Sequence, residues 1–154
     1  MLNPSKGDII LTRNSGGIAR NPTPGYFNHA SVYCDGYVVE AQRYVKDGKI
    51  SNDKKCPGEV IRTKDEEFFS RYEIYKVKRL LQIYQIYSEL VCEYADSLVG
   101  VKYSRLSSLL IGNGSWVNGV NCVSVVRFAV FSAIGNDPGW RVPDDINYSP
   151  ILFD

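Results

Sequence analysis

The chain of 154 residues contains one histidine, one methionine and two tryptophans. With a single histidine, a metal site would fall mainly to the cysteines Cys34, Cys56, Cys92 and Cys122. These form no C-x-x-C pair and no recognised ligand spacing, so no metal is expected. Charge of one sign is also lacking, with 18 Lys+Arg against 17 Asp+Glu, which excludes the basic surface of a nucleic-acid partner. No apolar run approaches the roughly 18 residues of a membrane span, and the best, Val123 to Ile134, is cut by Arg127. The opening Met1 to Asp8 has no charged head followed by an apolar stretch, so no secretion signal is read and a cytoplasmic location is expected. Gly16-Gly17 and Gly112-Asn113-Gly114 lack the strand-to-helix context and the Lys-Ser/Thr of a phosphate loop, so they read as turns and no cofactor is expected.

What is present describes one globular unit. Hydrophobic residues make up 44% and charged residues 23%, enough for a core with a solvated surface. No repeat or shift in composition divides the chain, so residues 1–154 are read as a single domain. The cysteines are read as free thiols, because a chain of this size does not need staples. Tyrosine, with 11 copies, suggests an interior or cleft lined by rings with polar tips.

Periodicity then assigns the elements. Asp8 to Thr12 is a short β-type run, and Asn14 to Pro24, with its glycines and prolines, is an exposed loop. His29 to Cys34 and Tyr37 to Gln42 are β-rich and separated by Asp35-Gly36, the dipeptide of a two-residue type I′ hairpin. Lys46 to Lys55 reads as a surface turn; strands are expected at Glu59 to Thr63 and Glu73 to Lys78. From Gln82 to Leu98 the spacing of Ile83, Ile86, Tyr87, Leu90, Val91, Tyr94 and Leu98 predicts one amphipathic helix. Tyr103 to Trp116 fits neither period. A mostly buried helix is predicted from Cys122 to Ile134, with Asn121 as N-cap and Gly135 as terminator, followed by a loop-like tail through Pro143-Asp144-Asp145-Ile146. The class is α+β, an antiparallel sheet packed against helices.

The hairpin gives His29 company. A two-residue loop at Asp35-Gly36 sets Tyr33 opposite Val38, Ser31 opposite Glu40 and His29 opposite Gln42, all on one face. Glu40 is then diagonal to His29, roughly 7–8 Å away at the backbone, where a carboxylate can bond one imidazole nitrogen and select its tautomer. Gln42 can do the same. A nucleophile for such an imidazole is best supplied by Cys122, in the first turn of a buried helix, where the dipole stabilises a thiolate. The orphan N–H of that residue can receive an oxyanion. Cys34 falls on the hairpin face opposite His29, Cys92 lies inside a helix and Cys56 precedes a proline.

In order, Gly7-Asp8-Ile9-Ile10, Asn28-His29-Ala30-Ser31-Val32-Tyr33, Val38-Val39-Glu40-Ala41 and the late Asn121-Cys122 resemble the circularly permuted NlpC-type papain-like hydrolases, in the YiiX/YaeF-like branch. Val99-Gly100-Val101-Lys102-Tyr103 is similar to the Gly-x-x-Tyr piece ahead of the family's cysteine, and Val142 to Ile146 with Ser149-Pro150 to its closing segment. Val123 and Ser124 stand where the family often has Ser and Glu. The resemblance implies a papain-like fold with Cys122 as nucleophile, His29 as general base and acid, Glu40 as orienting residue, and Tyr103 as a wall or oxyanion aid. It implies a cysteine hydrolase acting on a peptide, isopeptide or γ-glutamyl amide. The related lecithin:retinol acyltransferase-like group also starts a helix with Asn-Cys, which leaves a thioesterase or acyltransferase on lipid-like acyl groups as the alternative. A third reading is a silent binding domain of the same fold.

Overall fold

Strand β1 (Ile9–Arg13) is buried along nearly its whole length, a continuous apolar run of the kind required when both faces of a strand are covered. The computed structural model describes residues 3–13, 26–72, 74–104, 108–109, 116–117 and 119–154. In chain order the strands that follow are β2 (His29–Tyr33), β3 (Tyr37–Gln42), β4 (Val45–Lys46), β5 (Lys49–Ile50), β6 (Glu59–Lys64), β7 (Ile74–Leu80), β8 (Ser108–Leu109), β9 (Trp116–Val117) and β10 (Leu152–Phe153). The helices are α1 (Asp65–Ser70), α2 (Ser88–Asp96), α3 (Cys122–Ile134) and α4 (Pro143–Asn147), with a 3₁₀ helix at Gln82–Tyr87. The main sheet runs β10-β7-β1-β2-β3-β6, and every neighbouring pair is antiparallel. The class is therefore α+β, as expected.

The expected hairpin is present. Asp35 and Gly36 both have positive φ, 55° and 86°, the pair of left-handed residues that a type I′ turn requires, and the Cys34 N–H donates to the Tyr37 carbonyl at 2.8 Å. Tyr33 pairs with Val38, the register that this loop dictates. Asp47 and Gly48 repeat the device, with φ of 51° and 71°, and make a second small hairpin of β4 and β5 where the sequence suggested only a turn. The predicted loop from Asn14 to Pro24 and the turn at Gly112 to Gly114 lie outside the described residues. Among the described residues, β8 and β9 pair antiparallel, with Leu109 opposite Trp116 and Ser108 opposite Val117.

Each face of the sheet has its own core. Leu11, Val32, Val39 and Val60 meet Val91 and Ala95 of α2 and Val126 and Val130 of α3 on one face. Ile10, Val38 and Val77 lie beneath Phe68 and Tyr72 on the other, where α1 covers the sheet. Helix α3 has the predicted bounds. Asn121 accepts from the Ser124 N–H at 2.9 Å, and Gly135 closes the helix in the left-handed conformation at φ 75°.

Two expectations need correction. The segment from Gln82 is not one helix: a 3₁₀ turn precedes α2, opened by the Tyr84 N–H donating to the Leu81 carbonyl at 2.7 Å. Residues three apart eclipse in a 3₁₀ helix, so Tyr84 and Tyr87 face the core together while Ile83 and Ile86 face solvent, 70% and 78% exposed. Nor is the tail a loop. Pro143 is pre-organised for the first turn of α4, Asp145 accepts the Arg141 and Val142 N–H groups at 2.7 and 3.1 Å, and β10 then pairs with β7. Among the described residues no helix is long and apolar enough to cross a membrane.

This burial map distinguishes two residues that look alike in sequence. Leu11→Ala, at a fully buried site, should lower unfolding free energy in urea by about 2–5 kcal/mol. Ile86→Ala should change it by less than about 0.5 kcal/mol.

Candidate active site

His29 is the first residue of β2 and Cys122 the first of α3. Alternation along β2 assigns His29 to the α1 face with Tyr33, whereas α3 packs on the opposite face. The two still meet, because β2 and β3 part. Their ladder covers Val32↔Val39 and Tyr33↔Val38 and stops there. Ala30, which the register would set opposite Ala41, directs its N–H to the Cys122 sulfur instead. The thiol therefore sits in the opening between the strands, where its side chain and that of His29 are hydrogen-bonded to each other.

The far side of the imidazole is held by Glu40. His29 Nε2 lies 2.9 Å from Glu40 Oε2, which also accepts from Gln42 Nε2 at 2.7 Å. The second carboxylate oxygen, Oε1, accepts from Thr63 Oγ1 at 2.6 Å and from Arg71 Nη2. Glu40 has no exposed surface, and an unpartnered carboxylate there would be driven neutral. Burial does push its pKa upward, but the hydrogen bond and charge of His29, the Arg71 guanidinium and the Thr63 hydroxyl outweigh it and hold the group at about 2. An ionised Glu40 accepts only, so Nε2 must carry a proton and Nδ1 is left for the sulfur.

Electrostatics at the other end follow the same logic. Burial raises the Cys122 thiol; the His29 hydrogen bond and charge, together with the N–H groups of Ala30 and Val123, reverse this and set it below 9.0. Burial lowers His29, but its neighbours Tyr72, Cys122 and Glu40 outweigh that and lift it well above 6.5. Both shifts favour a thiolate beside an imidazolium. In the first turn of α3 the Ser124 N–H is taken by the Asn121 side chain and that of Val125 by the Asn121 carbonyl. The Cys122 N–H, with no intrahelical acceptor at this position, is the remaining donor.

Several supports were not identified from sequence. Arg71 caps α1 at its C-terminal end, and Tyr72 stacks beside the His29 ring at 6.1 Å between centroids. Phe68, Arg71 and Tyr72 have the i, i+3, i+4 spacing of one helical face, a signal that could have located them. Thr63 becomes visible only once β6 is paired with β3, which puts it opposite Val38 and diagonal to Glu40. Asp144 of α4 accepts the Tyr26 and Phe27 N–H groups at 2.6 and 3.0 Å, anchoring the chain just before His29.

Of the residues singled out in the sequence, Cys122, His29 and Glu40 are brought together in one chain of hydrogen bonds. Gln42 joins through the carboxylate rather than the imidazole. Tyr103 stands beside the segment entering α3, bridged to Val120, and its hydroxyl accepts from Arg43 Nε at 3.4 Å; it is a neighbour of the site and not part of that chain among the described residues. Among the described residues no cluster of three His, Cys, Asp or Glu side chains could hold a metal ion. Comparison with protein families, curated proteins and solved structures returned no match, so the geometry alone carries the functional argument.

Because the folded pKa of Glu40 lies below its ordinary 4.5, its ionisation stabilises the fold above pH 4.5, and that contribution is lost as pH falls towards 2. Over that window the wild type should lose on the order of 3 kcal/mol more than Glu40→Gln, read from urea midpoints. Arg71→Met should be less stable than wild type at neutral pH and show a flatter acid limb, because its Glu40 begins nearer 4.5.

Proposed function

We propose that this chain is a cysteine hydrolase of papain-like, circularly permuted NlpC-type architecture that cleaves an amide through an acyl-enzyme on Cys122. The observation that carries the reading is the continuous hydrogen-bonded chain Cys122–His29–Glu40 at the start of a buried helix, with the thiol lowered and the imidazole raised. The helix start supplies nucleophile and oxyanion donor together, and the hairpin supplies base and orienter.

In this mechanism the Cys122 thiolate attacks the carbonyl carbon of a peptide, isopeptide or γ-glutamyl amide, and the carbonyl electron pair moves to oxygen, where the Cys122 N–H donates to it. The intermediate collapses by breaking the C–N bond while the His29 imidazolium gives its proton to the departing amine. A thioester remains on Cys122. Neutral His29 then takes a proton from water, the hydroxide adds to the thioester, and collapse releases the carboxylic acid and restores the thiolate. Glu40 stays ionised throughout and stabilises the imidazolium each time it forms.

The test is a panel of peptide amides, γ-glutamyl amides and lipid acyl esters, with intact-mass detection of the adduct. Amide turnover through an adduct on Cys122 supports the proposal. Turnover of acyl esters alone would identify a thioesterase or acyltransferase, and no adduct with any acyl donor would leave a binding domain. Cys122→Ala should abolish adduct and turnover, and His29→Ala should cost roughly 10²–10⁴-fold in rate. Glu40→Gln should cost less than His29→Ala, because an amide still orients the ring while supporting the imidazolium less. Limiting iodoacetamide at mildly acidic pH should label Cys122 before the other three cysteines; equal labelling of all four would contradict its assignment as the activated thiol.

A further inference from the structure

Two cysteines that the proposed mechanism does not use lie against each other. Cys34 ends the β2 side of the hairpin and Cys92 sits within α2; both are 2% exposed in the same core, and their side chains are hydrogen-bonded to one another. Cys92 Sγ also lies 3.2 Å from the carbonyl of Tyr33, the residue before Cys34, which confirms how closely α2 approaches the end of β2. As isolated small hydrophobes, two core cysteines would need no polar surroundings. These have them. The Gly7 N–H, which donates to the Tyr33 carbonyl at 2.9 Å, lies beside the Cys92 sulfur, and both sulfurs feel the positive charge of Lys6 and the negative charge of Asp96. Gly7 itself is pressed onto α2: it holds φ at +85°, and a Cβ there would fall 2.6 Å from the Ser88 carbonyl oxygen. Only glycine lets that N–H come so near the helix.

We propose that Cys34 and Cys92 form a reversible disulfide that fastens the β2–β3 hairpin to α2, with hydrogen peroxide as the oxidant. A small oxidant is required because sulfurs this buried exclude a bulky disulfide reagent. One of the two sulfurs attacks a peroxide oxygen and the O–O bond breaks, giving a sulfenic acid and water. The other sulfur then attacks the sulfenic sulfur, expelling the second oxygen as water and forming the S–S bond. Both cysteine protons leave in the water, and two electrons pass from the thiols to the peroxide.

The link would act at a distance from the candidate active site yet on the elements that build it. Strand β2 begins at His29, and α2 packs along α3, which begins at Cys122. Fastening β2 to α2 therefore ties the strand of the base to the helix pair that carries the thiol.

The experiment treats the folded full chain, and separately Cys122→Ala, with stoichiometric hydrogen peroxide, then blocks remaining thiols under denaturing conditions and maps non-reduced peptides. The expected result in both proteins is a cross-linked peptide pair joining positions 34 and 92, with loss of two titratable thiols. The thermal midpoint should rise by roughly 5–10 °C and return with dithiothreitol. Free Cys34 and Cys92 after treatment of both proteins, or a fall in the midpoint on cross-linking, would overturn the proposal. Neither outcome depends on whether Cys122 catalyses anything, so failure here is distinct from failure of the hydrolase reading.

Discussion

A fully buried carboxylate sits at the centre of this molecule, and most of its local architecture answers to it. Ionised Glu40 in an apolar sheet would be costly by several kcal/mol without partners. It has four, drawn from three strands and the end of a helix: His29 of β2, Gln42 of its own strand, Thr63 of β6 and Arg71 beyond α1. Meeting that demand ties β3 to β6 through Thr63 and to the end of α1 through Arg71. It also selects the imidazole tautomer. The same charge that must be neutralised for folding thus fixes the orientation of the ring.

The second constraint is the parting of β2 and β3. A regular ladder carried through Ala30 would consume its N–H and close the opening that the sulfur occupies. By ending the pairing at Val32, the sheet gives up hydrogen bonds between strands and gains one to sulfur. That exchange lets two side chains assigned to opposite faces of the sheet meet. Asp144 completes the arrangement by tying the chain before His29 to α4, so the C-terminal segment helps to position His29.

Local chemistry was legible in the sequence wherever it was sufficient by itself. Asp35-Gly36 dictates its turn and, through it, which residues share a face with His29; Asn121 and Gly135 bound α3 without reference to any partner. Glu40 does reach His29, as the hairpin register suggested, but the expected pairs Ser31–Glu40 and His29–Gln42 do not form, because the ladder stops at Val32↔Val39. Long-range choices were not legible. Thr63 has no local mark of its role, which arises when β6 pairs with β3, and the spacing of Phe68, Arg71 and Tyr72 marks a shared face without saying that α1 packs over Glu40. The split of the 82–98 segment into a 3₁₀ turn and α2 escaped for a similar reason. Its apolar spacing suits an α-helix, but docking of Leu81 on Ile151, through a 2.9 Å N–H to carbonyl bond, sets another path. The bond of Tyr103 to Arg43 was invisible until Gly58 brought the two segments into contact.

The account's central claim is that the Cys122 sulfur is held as a thiolate by an imidazolium whose far nitrogen is bonded to Glu40. The most direct measurement is thiolate ultraviolet absorbance followed against pH, as the difference between wild type and Cys122→Ala, which isolates one sulfur from the other three. The account predicts a Cys122 transition displaced below the ordinary thiol value of 9.0 and moved back upward when His29 is replaced by alanine. A Cys122 transition at or above 9.0, or one indifferent to the loss of His29, would contradict it.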